Sequence, residues 1–192
     1  MIAAIAAALV CISSPTVSPV DGHVTDWFRR PGCGWCAGNR GLEFVTAPGA
    51  PVRAPVDGTV AFSGPVGGVT YLVIRVASTK GVADPVFAVL GGVESPADTA
   101  RLTAGDPVVV GAAVGQSAGW LFFGVRVGPR RDHTYLDPAP LFGIGRKPAR
   151  LVGVDPMPVS LTRRLGSRIA PANPYHCSAL QPVVASARES GP

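Results

Sequence analysis

Charged side chains are scarce in this chain, at 15% of 192 residues against 47% hydrophobic. That balance excludes an extended, self-repelling polymer, because disordered chains combine high charge with few apolar groups. Long apolar runs are missing too. Residues 1–12 form an uncharged apolar stretch, well short of the ~20 residues a membrane-crossing helix needs. Helical periodicity is also lacking, and 24 glycines with 20 prolines in non-repetitive order point to short strands and turns. Only three histidines are present (His23, His133 and His176) and four cysteines (Cys11, Cys33, Cys36 and Cys177). Cys33-Gly34-Trp35-Cys36 alone supplies too few thiolates or imidazoles for a zinc site. At this length one domain with a real core is expected rather than two.

What is present reads as strands. Residues 59–63 alternate polar and apolar side chains after the Asp57-Gly58 turn, and Gly64 to Gly68 break that strand. Residues 70–77 place Tyr71, Val73 and Arg75 on one face and Leu72, Ile74 and Val76 on the other. Shorter strands are expected over 42–46, ending at the Pro48-Gly49 turn, and over 85–90. Another covers 107–114, and the last runs over 120–127 after a small-residue loop at 115–119. Several such strands without helices predict an all-β, antiparallel sandwich or barrel.

The two ends differ from this middle. Residues 1–18 resemble the apolar region of a secretory signal followed by Ser13-Ser14-Pro15-Thr16, although the usual basic start is absent. Either the true start lies upstream or the signal is atypical. Val10 before Cys11 argues against a lipoprotein anchor. Residues 1–143 carry equal numbers of basic and acidic side chains, so the net charge of +5 belongs to residues 144–192. That proline-punctuated tail is expected to be largely disordered, with one short helix at 159–169. It is a solvated segment or a contact for anionic wall polymer, membrane surface or nucleic acid; nucleic acid is not expected. Cys33 and Cys36 can close a small disulfide loop, or one of them can reach Cys177.

Asn39-Arg40-Gly41-Leu42-Glu43-Phe44 followed by Val52-Arg53-Ala54-Pro55-Val56-Asp57-Gly58-Thr59-Val60 resembles the opening of the lysostaphin/LytM family of zinc endopeptidases, which cut peptidoglycan cross-bridges. That family reads His-x-Gly-x-Asp, then Pro-Val-x-Ala-Pro-x-Asp-Gly-x-Val. Further on, Leu102-x-x-Gly105-Asp106-x-Val108, Gly119 to Arg126, and Tyr135-Leu136-Asp137-Pro138 are similar to later family segments in the same order. The resemblance covers residues 20–142 and implies a LytM-like domain over 19–143 with the duplicated hybrid motif fold.

The resemblance also implies where chemistry should sit, and there this chain departs from it. The three ligand positions hold Asn39, Glu43 and Phe122. The two proton-handling histidine positions hold Val89 and Trp120. A carboxamide is a poor zinc donor and a phenyl ring has no lone pair, so one carboxylate remains. The expectation is therefore no catalytic residues, no metal and no cofactor, with Trp120 and Phe122 filling the vacated cleft. With Phe87 they would line an apolar groove suited to docking. His23, His133 and His176 occupy no motif position; a new site from His23, Glu43 and His133 is disfavoured.

The function expected is that of an exported, catalytically inactive LytM-like pseudoenzyme at the cell envelope. It would bind peptidoglycan or an envelope protein, or regulate other wall hydrolases. The alternatives are an active zinc metallopeptidase with atypical ligands, and a wall-anchored structural protein working through its basic tail.

Overall fold

A computed structural model of the protein describes residues 11–13, 15–33, 36–95, 101–129, 131 and 133–144. The expected tail helix at 159–169, and all of the basic tail beyond Ile144, lie outside the described residues. Ten strands follow in chain order: β1 (Cys11–Ile12), β2 (His23–Asp26), β3 (Leu42–Arg53), β4 (Gly58–Val66), β5 (Val69–Val76), β6 (Thr79–Lys80), β7 (Val86–Glu94), β8 (Pro107–Val108), β9 (Ala113–Val127) and β10 (Thr134–Leu136). A 3-10 turn at Ala139–Phe142 closes the domain, its first N–H donating to Asp137 Oδ1 at 3.0 Å.

Eight strands form one sheet in the order β2-β3-β9-β7-β5-β4-β8, with β10 added to β9, and every pairing is antiparallel. The all-β expectation therefore holds, and no α-helix occurs among the described residues. None of their helices is long and apolar enough to cross a membrane.

Strand alternation divides the side chains between two faces. Leu42 and Phe44 on β3, Leu72 and Ile74 on β5, Leu90 on β7, and Leu121, Phe123 and Val125 on β9 are all buried together. Residues one step along these strands point to the opposite face. The β4–β5 connection is the two-residue turn Gly67-Gly68, with φ of 59° and 82°. Two consecutive positive φ values suit a twisted hairpin and favour glycine at both places.

Two strands are longer than the sequence suggested. β3 runs through Pro48-Gly49 and Pro51, where a turn was expected, and β9 begins at Ala113 and includes the supposed 115–119 loop. These two breaker-rich stretches pair with each other, Pro48 with Ala118 and Pro51 with Gln116, across repeated register shifts. Proline is tolerated because β2 pairs with β3 only at 43–45, leaving the rest of β3 as an edge. Buried Ser117 holds the bulged section: its hydroxyl contacts Thr46 Oγ1 at 2.6 Å, accepts from Gly119 N–H and donates to Trp120 O. Conversely, the strand expected at 107–114 divides into β8 and the start of β9 around the turn at Gly111, φ 82°.

Residues ahead of position 19 also make contacts with the sheet domain. Cys11 is disulfide-bonded, β1 pairs with β6, and Ile12 is part of the core. Val17 N–H donates to Pro55 O at 3.1 Å, and Thr16 Oγ1 donates to Leu141 O at 2.8 Å. The described residues from Cys11 to Val17 thus pack against the domain.

Candidate functional site: a cleft on the open face of the sheet

The approach to the cleft is set by a short bridge. Arg29 and Asn39 exchange backbone hydrogen bonds at 2.8 and 3.0 Å, and the disulfide Cys33–Cys36 ties the loop between them. Arg29 in turn pairs with Asp26, Nη2 to Oδ2 at 2.9 Å. That hydrogen bond holds the Asp26 carboxyl below its usual range and raises the Arg29 guanidinium. This exposed pair anchors the bridge in place and adds little stability.

Asn39 is 6% exposed, and its Oδ1 accepts from Gly41 N–H at 3.2 Å. Its Nδ2 is buried and faces the Asp26 carboxylate, where, with the larger effect of Arg29, it favours the ionised form.

From this bridge a cleft of about 810 Å³ opens over the sheet face opposite the core. Asn39, Glu43, Phe87, Val89 and Phe122, five of the positions singled out in the sequence, all line it. Sheet register explains their meeting: Glu43 pairs with Phe122, Phe122 with Gly91, and Gly91 with Tyr71. The Phe122 ring lies against Gly41 and Gly124, where added Cβ atoms would stand 2.8 Å or less and about 3 Å from its carbons.

Trp120 does not take part. It is 40% exposed and absent from the cleft lining. Its indole lies over Gly92, where a Cβ would be 3.3 Å from the ring. Gly92 sits at the β7 register shift with φ of 84°, and this bulge gives the indole its place. The cleft is accordingly open, not sealed by a Trp120–Phe122 pair as the sequence suggested.

The structure brings in residues that sequence reasoning passed over: Arg40, Tyr71, Arg126 and Tyr135. Tyr135, Arg126 and Phe87 form one rung across β10, β9 and β7, and the Arg126 guanidinium carbon stands 4.5 Å over the Phe87 ring centroid. Arg126 Nε is buried without a partner. The signal was present, since Arg126 lies four residues after Phe122 on the same strand face.

The sequence matches no family profile and no curated protein. The solution structure of lysostaphin is similar at a TM-score of 0.53 and 19% identity, covering 73% of this chain and 61% of that one. Csd3 from Helicobacter pylori gives the same TM-score and identity over 73% of this chain, which spans 36% of Csd3. A structure described as the catalytic domain of the antimicrobial peptidase lysostaphin from Staphylococcus simulans matches at 0.48 and 18%, over 62% of this chain and 90% of that domain. The fold is LytM-like.

In the LytM-like frame the zinc of the family can be tested against the residues present, and they do not fit it. Asn39 spends its oxygen on Gly41 N–H, Phe122 offers no donor, and Glu43 is left as the lone carboxylate of the three. A catalytic zinc takes three protein ligands beside its water. Among the described residues no three His, Cys, Asp or Glu side chains group to hold a metal. His23 is exposed beside Val45 and Thr46 in a separate shallow hollow, while His133 packs edge-on to Tyr135 at 5.3 Å. His176 lies outside the described residues.

Tyr135 gives this LytM-like cleft a measurable marker. Burial pushes its hydroxyl above the usual value near 10, opposed by Arg126 and Arg40 and reinforced by Tyr71. An upward shift means the neutral phenol is favoured by folding. The associated stability is complete below the ordinary tyrosine range and is lost as pH rises through the folded value. Ultraviolet titration should show one tyrosine ionising above the normal range. That component should vanish in Tyr135→Phe, and its persistence would refute the assignment.

Proposed function

We propose that this chain is a non-hydrolytic LytM-like domain of the cell envelope, exported, and acting by binding wall peptide or by regulating other wall hydrolases. One observation carries the reading. Asn39, Glu43 and Phe122, the three positions that correspond to the family's ligands, face one cleft and offer a single carboxylate between them. The open cleft is walled by Phe62, Val73, Phe87, Val89 and Phe122, a surface that suits a bound chain. The fold shared with peptidase structures supports peptidoglycan as the material bound, and the basic tail adds a contact for anionic wall polymer.

Purified protein incubated with zinc and dialysed should carry far less than one equivalent of metal. It should sediment with peptidoglycan and release no new amino groups from it. Stoichiometric zinc, lost together with hydrolysis in Glu43→Ala, would replace this reading with the active metallopeptidase.

A further inference from the structure

We infer that the Arg126–Tyr135 end of the cleft is a carboxylate receptor, and that the cleft binds a short peptide by its free C-terminal carboxylate. The inference rests on the peptide-binding reading above and names the group on the ligand that is recognised.

Charge placement comes first. Arg126 and Arg40 line the cleft with one acid, Glu43. Arg126 makes no ion pair with a described residue. Glu43 pairs in register with Phe122, four residues from Arg126 along β9, so the two stand roughly 13 Å apart at ~3.3 Å per residue. The acid therefore leaves the guanidinium uncompensated, and a ligand anion can take the place beside it.

Donor geometry comes second. Arg126 is held against Phe87, which fixes the plane of its fork. A guanidinium presents paired N–H donors matched to a carboxylate. Tyr135 is the register neighbour of Arg126, and its hydroxyl, protonated as any phenol is at neutral pH, is a donor as well. Arg126 Nε is buried without a partner and adds to an excess of N–H groups over acceptors. Such an excess is satisfied by an anion or by water and left unmet by an apolar ligand.

The remaining walls select the kind of anion. Phe62, Val73, Phe87 and Val89 are apolar and suit small aliphatic side chains next to the carboxylate. Glu43 at the far end repels a polyanionic polymer and accepts from backbone N–H or an ammonium group. A volume of about 810 Å³ falls in the ~300–1,000 Å³ range of small-ligand sites. A short peptide with one terminal carboxylate satisfies all three conditions.

The test is calorimetric titration of the full chain with N-acetyl-trialanine and with its C-terminal amide, alongside sedimentation with peptidoglycan. A charge-assisted contact is worth ~1.5–3 kcal/mol, so the free acid should bind at least about ten-fold more tightly than the amide. Arg126→Gln should bring that ratio close to one. Tyr135→Phe, which removes a single hydroxyl, should reduce it several-fold with the circular dichroism spectrum unchanged. A free glutamate side chain in an amidated peptide should not restore tight binding, and if it does the recognised group is any carboxylate rather than the chain end, which overturns the proposal as stated. Equal binding of acid and amide overturns the carboxylate receptor and leaves wall binding intact. Binding of neither peptide with sedimentation retained has the same meaning. Loss of both peptide binding and sedimentation overturns the broader reading as well.

Discussion

Replacing Phe123 with alanine should cost about 3–5 kcal/mol of stability, the largest effect expected of any single truncation here. Phe123 is fully buried at the centre of β9. Its register partners are Leu42 on one side and Leu90 on the other, both fully buried, and its ring meets Phe142 at 5.2 Å in a tilted contact. Removing the ring leaves a cavity that strand backbones on both sides cannot close. Against a total of ~5–15 kcal/mol for a domain, the change should move the urea midpoint far down while the transition slope is kept. Phe122→Ala, one residue away, removes a half-buried ring from the cleft face and should cost much less. A larger loss from Phe122→Ala than from Phe123→Ala would mean that the faces of β9 are assigned the wrong way round.

Gly41→Ala should be the most damaging single-methyl change at the cleft. Its Cβ would stand 2.3 Å from the Phe123 carbonyl oxygen and 2.7 Å from Phe122 Cε2. Backbone cannot yield as a side-chain tip can, so a loss of ~1–3 kcal/mol or more is expected. The displaced Phe122 ring should also encroach on the cleft. Gly32→Ala is the control, because nothing lies within 4 Å of its added Cβ. Paired thermal melts should show a clear drop for Gly41→Ala and almost none for Gly32→Ala. Adding Phe122→Ala should recover only part of the loss, since the clash with the Phe123 oxygen remains. Full recovery would place the strain in the ring alone.

The sequence was readable where neighbouring residues decide the outcome. Alternation at 70–77 separated Leu72, Ile74 and Val76, which are buried, from Tyr71, Val73 and Arg75, because period two is local. The end of the preceding strand was read too early: Gly64 to Gly68 looked like a break, yet β4 runs to Val66 and only Gly67-Gly68 turn. Legibility failed where pairing overrides punctuation. Pro48, Gly49, Pro51 and Gly115 to Gly119 each look like turns alone, and only their mutual register, with Ser117 supplying bonds, keeps them in strands. The cleft followed a similar rule. Motif spacing brought Asn39, Glu43, Phe87, Val89 and Phe122 to one place. The position of Trp120 hung on a bulge at Gly91–Val93, which no spacing in the chain reveals. Arg126 and Tyr135 were seen as motif letters, and their partnership emerged only from the rung they share.

The hydrogen bond from Thr16 to Leu141 joins residues 125 apart and sets the two flanks of the domain side by side. Tension on the N-terminal flank therefore meets the Cys11 disulfide and the β1–β6 pairing first and this clasp next, before it reaches the ladders beneath the cleft.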